Sequence, residues 1–164
     1  MLGKYMKKLY RLECEPQHGV YSSMGNATTE IRQKLQLCRD IMMKYFETLG
    51  GEKHPSPYDD TRLMDTMLMY DIKCYDVFYG FSSIDQFRAW FYSDGLLTEF
   101  DKIGVTLVCY NTSFVYNGNT QAVASLKDLK AENVAWRITL KDFLEKGISH
   151  LTELENCVIS GGVV

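Results

Sequence analysis

Between Lys8 and Cys14, apolar and polar side chains alternate along the chain. Leu9, Arg11 and Glu13 fall on one side of an extended backbone, and Tyr10, Leu12 and Cys14 on the other. The pattern predicts a strand with the second set inward and the charged set on an exposed face. From Ile31 the period changes. Ile31, Leu35, Cys38, Ile41, Met42, Tyr45, Phe46 and Leu49 follow steps of three and four, which marks a helix with one buried stripe. Asn26 or Thr28 supplies its cap. Gly50-Gly51 supplies the stop, because glycine accepts the left-handed conformation past a helix end. His54-Pro-Ser-Pro57 excludes helix, since each proline pushes its predecessor to extended geometry. Asp59 or Asp60 then caps a short helix through Met64, Leu68 and Met69.

Lys73 to Phe81 is aromatic and reads as extended. Ser83-Ile-Asp-Gln86 has the form of a capping box and opens a helix carrying Phe87, Trp90 and Phe91. Ser93-Asp-Gly95 interrupts it, and a second short helix ends at Gly104. Val105 to Tyr110 is a strand. Asn117-Gly118 signals a hairpin turn, with Thr120 to Ala124 returning from it. Further on, Thr139-x-x-Asp142 caps a helix through Phe143 and Leu144 that Gly147 ends. Ser149 to Val158 reads as another helical piece, before a terminal Ile-Ser-Gly-Gly-Val-Val expected to fray.

These elements predict an α+β fold. An antiparallel sheet of about three or four strands (near 8–14, 73–80, 105–112 and 119–125) is flanked by a long helix, 28–49, and a shorter helix pair, 83–103. The expected organisation is a core over 1–125. Residues 126–164 form a partly helical C-terminal extension, either of the same domain or loosely packed.

Composition narrows the function. The 164 residues are 46% hydrophobic and 13% aromatic, enough for one packed core. A net charge of −3 gives no electrostatic reason to expect direct nucleic-acid binding. The five cysteines are odd in number and form no C-x-x-C, which points to free thiols in a reducing compartment. Cys14, Cys38 and Cys109 lie in apolar-periodic stretches, and every cysteine reads as core-like or as part of the tail. No apolar h-region follows the basic start, so no signal peptide is expected. No stretch approaches the roughly 18 apolar residues of a membrane span.

Catalytic chemistry finds little support. His18, His54 and His150 have no histidine or cysteine three or four residues away, so no metal site is expected; the ordinary reading is loop histidines. Phosphate-cradling glycine loops and the G-x-S-x-G elbow are absent, and no cofactor is expected. Cysteines in apolar contexts are inert as nucleophiles. One constellation remains: Arg11 on an early strand, Tyr21 after it, and Gln121 on a late strand. An early arginine with a late glutamine or glutamate loosely resembles ADP-ribosyltransferases, in which the arginine holds a nicotinamide dinucleotide. Here the late strand reads Gln121-Ala-Val123, without the E-x-E or Q-x-E signature and without a Ser-Thr-Ser segment. The plainer reading is an exposed charged strand face.

Binding is better supported. Two loops, 15–26 and 50–60, lack periodicity and concentrate His18, Tyr21, His54 and Tyr58. Each follows a confident element, and prolines 55 and 57 stiffen the second. Tyrosine supplies large amphipathic contacts at small entropic cost. Tyr79 joins this set, because the 73–81 segment has aromatic side chains on both faces and is either buried on both or part of a partner surface.

Tyr79-Gly-Phe-Ser-Ser-Ile-Asp-Gln-Phe-Arg-Ala-Trp-Phe91 resembles a pattern in small, mostly uncharacterised accessory proteins of tailed bacteriophages. In those, a phenylalanine-glycine-phenylalanine turn precedes a helix with a glutamine and a tryptophan-phenylalanine pair. Tyr10 to Glu13, Gly19 to Tyr21, His54 to Pro57 and Thr120-Gln121 are similar in order, so the resemblance covers roughly 8–125; Tyr79 departs from the pattern. The resemblance implies an origin and no activity of its own. Small phage accessory proteins often bind a host protein stoichiometrically in the host cell cytoplasm, and inhibition of a defence system such as a CRISPR effector is one such role. The expectation is therefore a host-protein binder, with no membrane partner and with enzymatic action disfavoured. The alternative is a nucleotide-binding enzyme of ADP-ribosyltransferase-like type.

Overall fold

The computed structural model describes residues 6–22, 24–46 and 56–159. Along them run β1 (Lys7–Glu15), β2 (His18–Gly19), α1 (Thr29–Tyr45), α2 (Thr61–Met69), β3 (Val77–Gly80), α3 (Ile84–Trp90) and α4 (Asp94–Lys102). Then follow β4 (Thr106–Thr112), β5 (Val115–Asn117), β6 (Ala122–Ser125), β7 (Val134–Thr139) and α5 (Leu140–Ile159). The α+β class is as expected. The single sheet is not: the strands form two sheets, ordered β2-β1-β4-β7 and β3-β6-β5. No helix among the described residues is long and apolar enough to cross a membrane.

The chain divides into two units. Unit one takes the described residues of Met1–Arg11, Gly50–Trp90 and Cys109–Val134; unit two takes those of Leu12–Leu49, Phe91–Val108 and Ala135–Val164.

In unit one, β6 pairs antiparallel with β3 on one side and β5 on the other, with Tyr79 and Tyr116 both opposite Val123. Alternation along strands then puts Val77, Tyr79, Tyr116 and Val123 on one sheet face. The helix α2 covers that face with Leu63 and Met67, and Ile72 and Phe114 close its edges. Each of those two buried side chains stabilises the unit by about 2 kcal/mol. On the other face Phe78 meets Tyr110 edge-on, with ring centroids 5.5 Å apart. The expected strand over 73–80 starts only at Val77, because Cys74–Asp76 is a 3-10 turn.

The helix α3 opens nearly as its capping box predicts. Ser83 Oγ accepts from the Gln86 N–H at 3.1 Å. The Gln86 side chain, however, accepts from the N–H of Ser82 at 2.9 Å, one residue earlier than the motif requires. Phe87 and Trp90 are thereby turned inward, each 5.8 Å from the ring of Phe81.

In unit two, α4 packs against α1 and α5. Thr28, Ser93 and Thr139 cap the three helices by accepting from the N–H of Ile31, Leu96 and Asp142. Leu35, Cys38 and Met42 form the buried stripe of α1. The helix stops earlier than the expected 28–49. Phe46 is extended, and its ring lies 6.4 Å from both Phe91 and Tyr92, so burial of an aromatic ends the helix. Gly50-Gly51 lies outside the described residues. Gly147 breaks α5 with φ 68°, a backbone state that glycine adopts without a Cβ clash, so the two expected helical pieces are present on either side of it.

The first strand corrects the sequence reading most. Every residue from Leu9 to Cys14 is buried, so β1 has no exposed face. Arg11 is only 9% exposed and Glu13 is 0% exposed.

Candidate functional site

Among the buried polar groups of unit one is Asp60, which is 2% exposed. Its carboxylate accepts from the Leu63 N–H at 3.2 Å, which caps α2. It also accepts from the N–H groups of Asn119 and Thr120, both at 2.9 Å, and from the Thr120 hydroxyl at 3.1 Å. Burial pushes this carboxyl up, but the three amides and the hydroxyl outweigh it and hold the group below the usual aspartate value. One side chain thus ties the start of α2 to the β5–β6 loop. That loop bends where Gly118 donates to the carbonyl of Gln121 at 2.8 Å. A Cβ on Gly118 would stand 2.4 Å from Asp60 Oδ2, so only glycine permits the carboxylate so close. The same tie explains why β6 starts at Ala122 and not near 119.

Beside this knot lies a cleft of about 330 Å³. Arg62, Ser82, Ser83, Gln86, Ala89, Trp90 and the loop from Asn117 to Thr120 line it. Among the described residues, the lining holds one cation and no carboxylate.

Exposed tyrosines and aliphatic side chains lie on α2 and in the turns that flank it. Tyr70 stacks on Tyr116 with ring centroids 4.9 Å apart, and Tyr116 meets Phe114 at 4.8 Å. Leu68, Met69, Tyr70, Tyr58 and Tyr75 are each more than half exposed. A 3-10 turn, Pro57–Asp59, presents Tyr58, with Ser56 as its cap. A hydrogen bond with Cys74 raises the Tyr58 phenol above its ordinary value. Burial, followed by the neighbouring Tyr58 and Cys74, raises that of Tyr79.

Of the residues singled out from sequence, Tyr58 and Tyr79 therefore come together in unit one. Arg11 and Gln121 are also in unit one, but in its interior. Arg11 lies 5.5 Å from the Phe78 ring centroid, and Gln121 is 6% exposed. His18 and Tyr21 belong to unit two. His18 Nδ1 is 3.1 Å from the Pro16 carbonyl, and the exposed Tyr21 ring lies 6.2 Å from Phe91. His54 lies outside the described residues. Among the described residues, no group of three or more His, Cys, Asp or Glu could hold a metal ion. Arg62 and Asn119 were missed, because an isolated arginine and a loop asparagine carry no spacing signal.

Cys14, Cys38 and Cys109 are buried as expected, whereas Cys74 is exposed, because the 3-10 turn replaces the strand that would have covered it. The Cys14 and Cys38 thiols share a hydrogen bond that lowers the first and raises the second. A maleimide is expected to modify Cys74 roughly a hundredfold faster than these three, since buried thiols react only through local opening. Peptide mass spectrometry during the reaction reads the rates; comparable rates at Cys74 and Cys109 would contradict the exposure assigned.

Comparison with known proteins agrees with a bacteriophage origin. Residues 6–137 match the family model described as Bacteriophage T4 Y00F protein. Neither the curated proteins nor the solved structures contain a match to the chain. The matched span runs from the residue before β1 to Arg137 in β7 and includes Asp60, the cleft and the tyrosines around α2; the chain belongs to the bacteriophage T4 Y00F protein family.

Proposed function

We propose that this phage protein acts by stoichiometric binding to a host protein in the host cell cytoplasm, and that the contact surface is the outer side of α2. The observation that carries the reading is the set of large exposed side chains on α2 and its flanking turns: Leu68, Met69 and Tyr70, the last stacked on Tyr116, with Tyr58 and Tyr75 in the 3-10 turns before and after the helix. Exposed apolar residues scattered singly need no explanation, but several on one element and its flanking turns favour a protein interface. Tyrosine and methionine are enriched in such contacts. A tyrosine adds large area with few torsions to freeze, and methionine adapts to an irregular partner. The target class favoured by the phage setting is a bacterial defence protein, with a CRISPR effector the first to assay.

Capture with tagged protein from host lysate, followed by size-exclusion chromatography, tests this. The expected result is one host protein co-eluting in fixed stoichiometry. The double variant Met69→Ser/Tyr70→Ala should weaken capture at least about tenfold, in line with loss of an interface anchor. Its circular dichroism should stay near wild type, and its melting temperature should fall by only a few degrees, since both side chains are exposed and the lost Tyr70–Tyr116 stack contributes about 1 kcal/mol. Full capture by this stable variant, or no stoichiometric partner, would defeat the proposal.

A further inference from the structure

We propose that the polar cleft of unit one is a recognition site for a carboxylate borne on a peptide segment, an aspartate or glutamate of the protein partner; this rests on the reading that the partner is a protein. The first argument is charge. Among the described residues, the lining contains Arg62 as its one cation and no acidic residue, in a chain whose net charge is −3. The Asp60 carboxylate lies behind the 118–120 loop with its charge already met by three N–H groups and the Thr120 hydroxyl, so the guanidinium of Arg62 is the lining charge left to attract an anion. A guanidinium presents a planar fork that matches a carboxylate with two parallel hydrogen bonds. One guanidinium also balances one carboxylate charge. A phosphate ester carries up to about two charges and would keep an excess in a cleft with a single cation.

The second argument is the remaining chemistry. Asn117, Asn119, Gln86 and Ser83 line the same space, so the walls offer amide and hydroxyl groups that both donate and accept. A peptide backbone has the same two needs. A volume of about 330 Å³ lies at the small end of ligand sites, which suits a short extended segment better than a helix. The third argument is rigidity. The N–H groups of Asn119 and Thr120 are fixed on Asp60, and Gln86 Oε1 accepts from the Ser82 N–H. Two walls are therefore held before any ligand arrives, which lowers the ordering cost of binding.

Position connects the cleft with the tyrosine side of α2. Arg62 and Met69 are seven residues apart on this helix, two turns along one stripe and about 10 Å apart by helical rise. Three extended residues of a partner span that distance. A segment seated on Met69 and Tyr70 can thus carry an acidic side chain to Arg62.

Selection of a random dodecapeptide library on the purified full chain tests the proposal without a host extract. The expected result is enrichment of peptides with an aspartate or glutamate. Replacing that residue by its amide, or introducing Arg62→Gln, should weaken the selected peptide at least about tenfold, while Arg62→Lys restores part of the loss. In nitrogen-15 NMR, the peptide should shift the side-chain amides of Asn117 and Asn119, and Asn119→Ala should weaken it as well. Arg62 and Asn119 are exposed, so these variants should fold. Selection without acidic residues, affinity indifferent to Arg62→Gln, no enrichment, or displacement of the peptide by low millimolar inorganic phosphate would each overturn it. Failure here leaves the lysate capture and its Met69→Ser/Tyr70→Ala control standing. Loss of capture in that control with peptide binding intact separates the two surfaces.

Discussion

Replacing Asp60 by alanine is expected to destabilise the protein by about 3 kcal/mol, measured by urea unfolding at neutral pH. Hydrogen bonds to a charged acceptor contribute roughly 1.5–3 kcal/mol each, and loss of a helix cap costs about 1 kcal/mol. Asp60 makes four such bonds, one of them the cap of α2. Their sum overstates the net effect, because removing the side chain also removes the cost of keeping a carboxylate out of water. Water can reach the partly buried amides of the 117–120 loop as well. With a urea slope of about 2 kcal/mol per molar, the midpoint should fall by roughly 1.5 M. Asp60→Asn should lose nearly as much despite its shape, because its NH2 group would face backbone N–H donors. If both variants lose less than about 1 kcal/mol, Asp60 does not hold α2 to the loop.

The same carboxylate makes stability depend on pH in a defined direction. Its folded-state pKa lies below the ordinary value, so the unfolded chain takes up the proton first as pH falls. The contribution of Asp60 is fully present above the unfolded aspartate value of about 3.9. It is lost as pH falls from there through the folded value. Glu99 and Asp142 are also lowered, by hydrogen bonds from Lys44 and Lys146, and add to the acid dependence. The share of Asp60 is the difference between wild type and Asp60→Asn. That difference should be flat from neutral pH to about pH 5 and narrow below about pH 4. A difference that widened on acidification would reverse the assigned direction.

Sequence alone identified Asp60 as a cap candidate and nothing more, and the reason is distance along the chain. Its cap bond is local, three residues away, whereas its bonds to Asn119 and Thr120 cross 59 and 60 residues. Periodicity and capping act over one or two turns, and so α1, α3, α4 and both halves of α5 were legible. Placement of Asn117-Gly118 in a turn was legible too, since the turn signal is also local. The strand β7 was within reach: Trp136 and Ile138 alternate with Arg137 and Thr139, and the first pair is buried. Two sheets in place of one were not within reach, because strand order depends on pairings that leave no trace in any window. The cleft belongs to this second class. It exists where α2, the start of α3 and a loop some fifty residues downstream of α2 converge, and each contributes residues unremarkable by themselves. The tyrosines were half legible: Tyr58 and Tyr79 stood out as aromatic, while the exposure of Leu68 and Met69 follows only once Leu63 and Met67 define which side of α2 is buried.

Glu13 carries the other large effect. Alternation placed it on an exposed strand face, yet it is 0% exposed, and a buried carboxylate requires compensation. Arg137 of β7 supplies it from 124 residues away, Nη2 to Oε2 at 2.8 Å, and the Gln17 N–H donates to the same oxygen at 3.1 Å. Gln17 has φ 69°, costly for a residue with a Cβ, and this hydrogen bond helps to hold it there. Arg137 also donates to Thr106 Oγ1 at 2.8 Å, which fixes its guanidinium plane. Removing one partner of a buried pair costs about 3–5 kcal/mol, because the other charge is stranded. Arg137 is itself partly exposed, so water can reach part of the gap, and Arg137→Leu is expected near the lower limit, about 3 kcal/mol. The double variant Glu13→Leu/Arg137→Leu removes the stranded charge along with its partner. It should be more stable than Arg137→Leu alone by roughly 1–2 kcal/mol, and urea unfolding of all four members of the cycle gives the coupling as the double-variant loss less the two single losses. Strict additivity of the two single losses would mean that Glu13 and Arg137 do not depend on one another, and the burial of Glu13 would then need a different explanation.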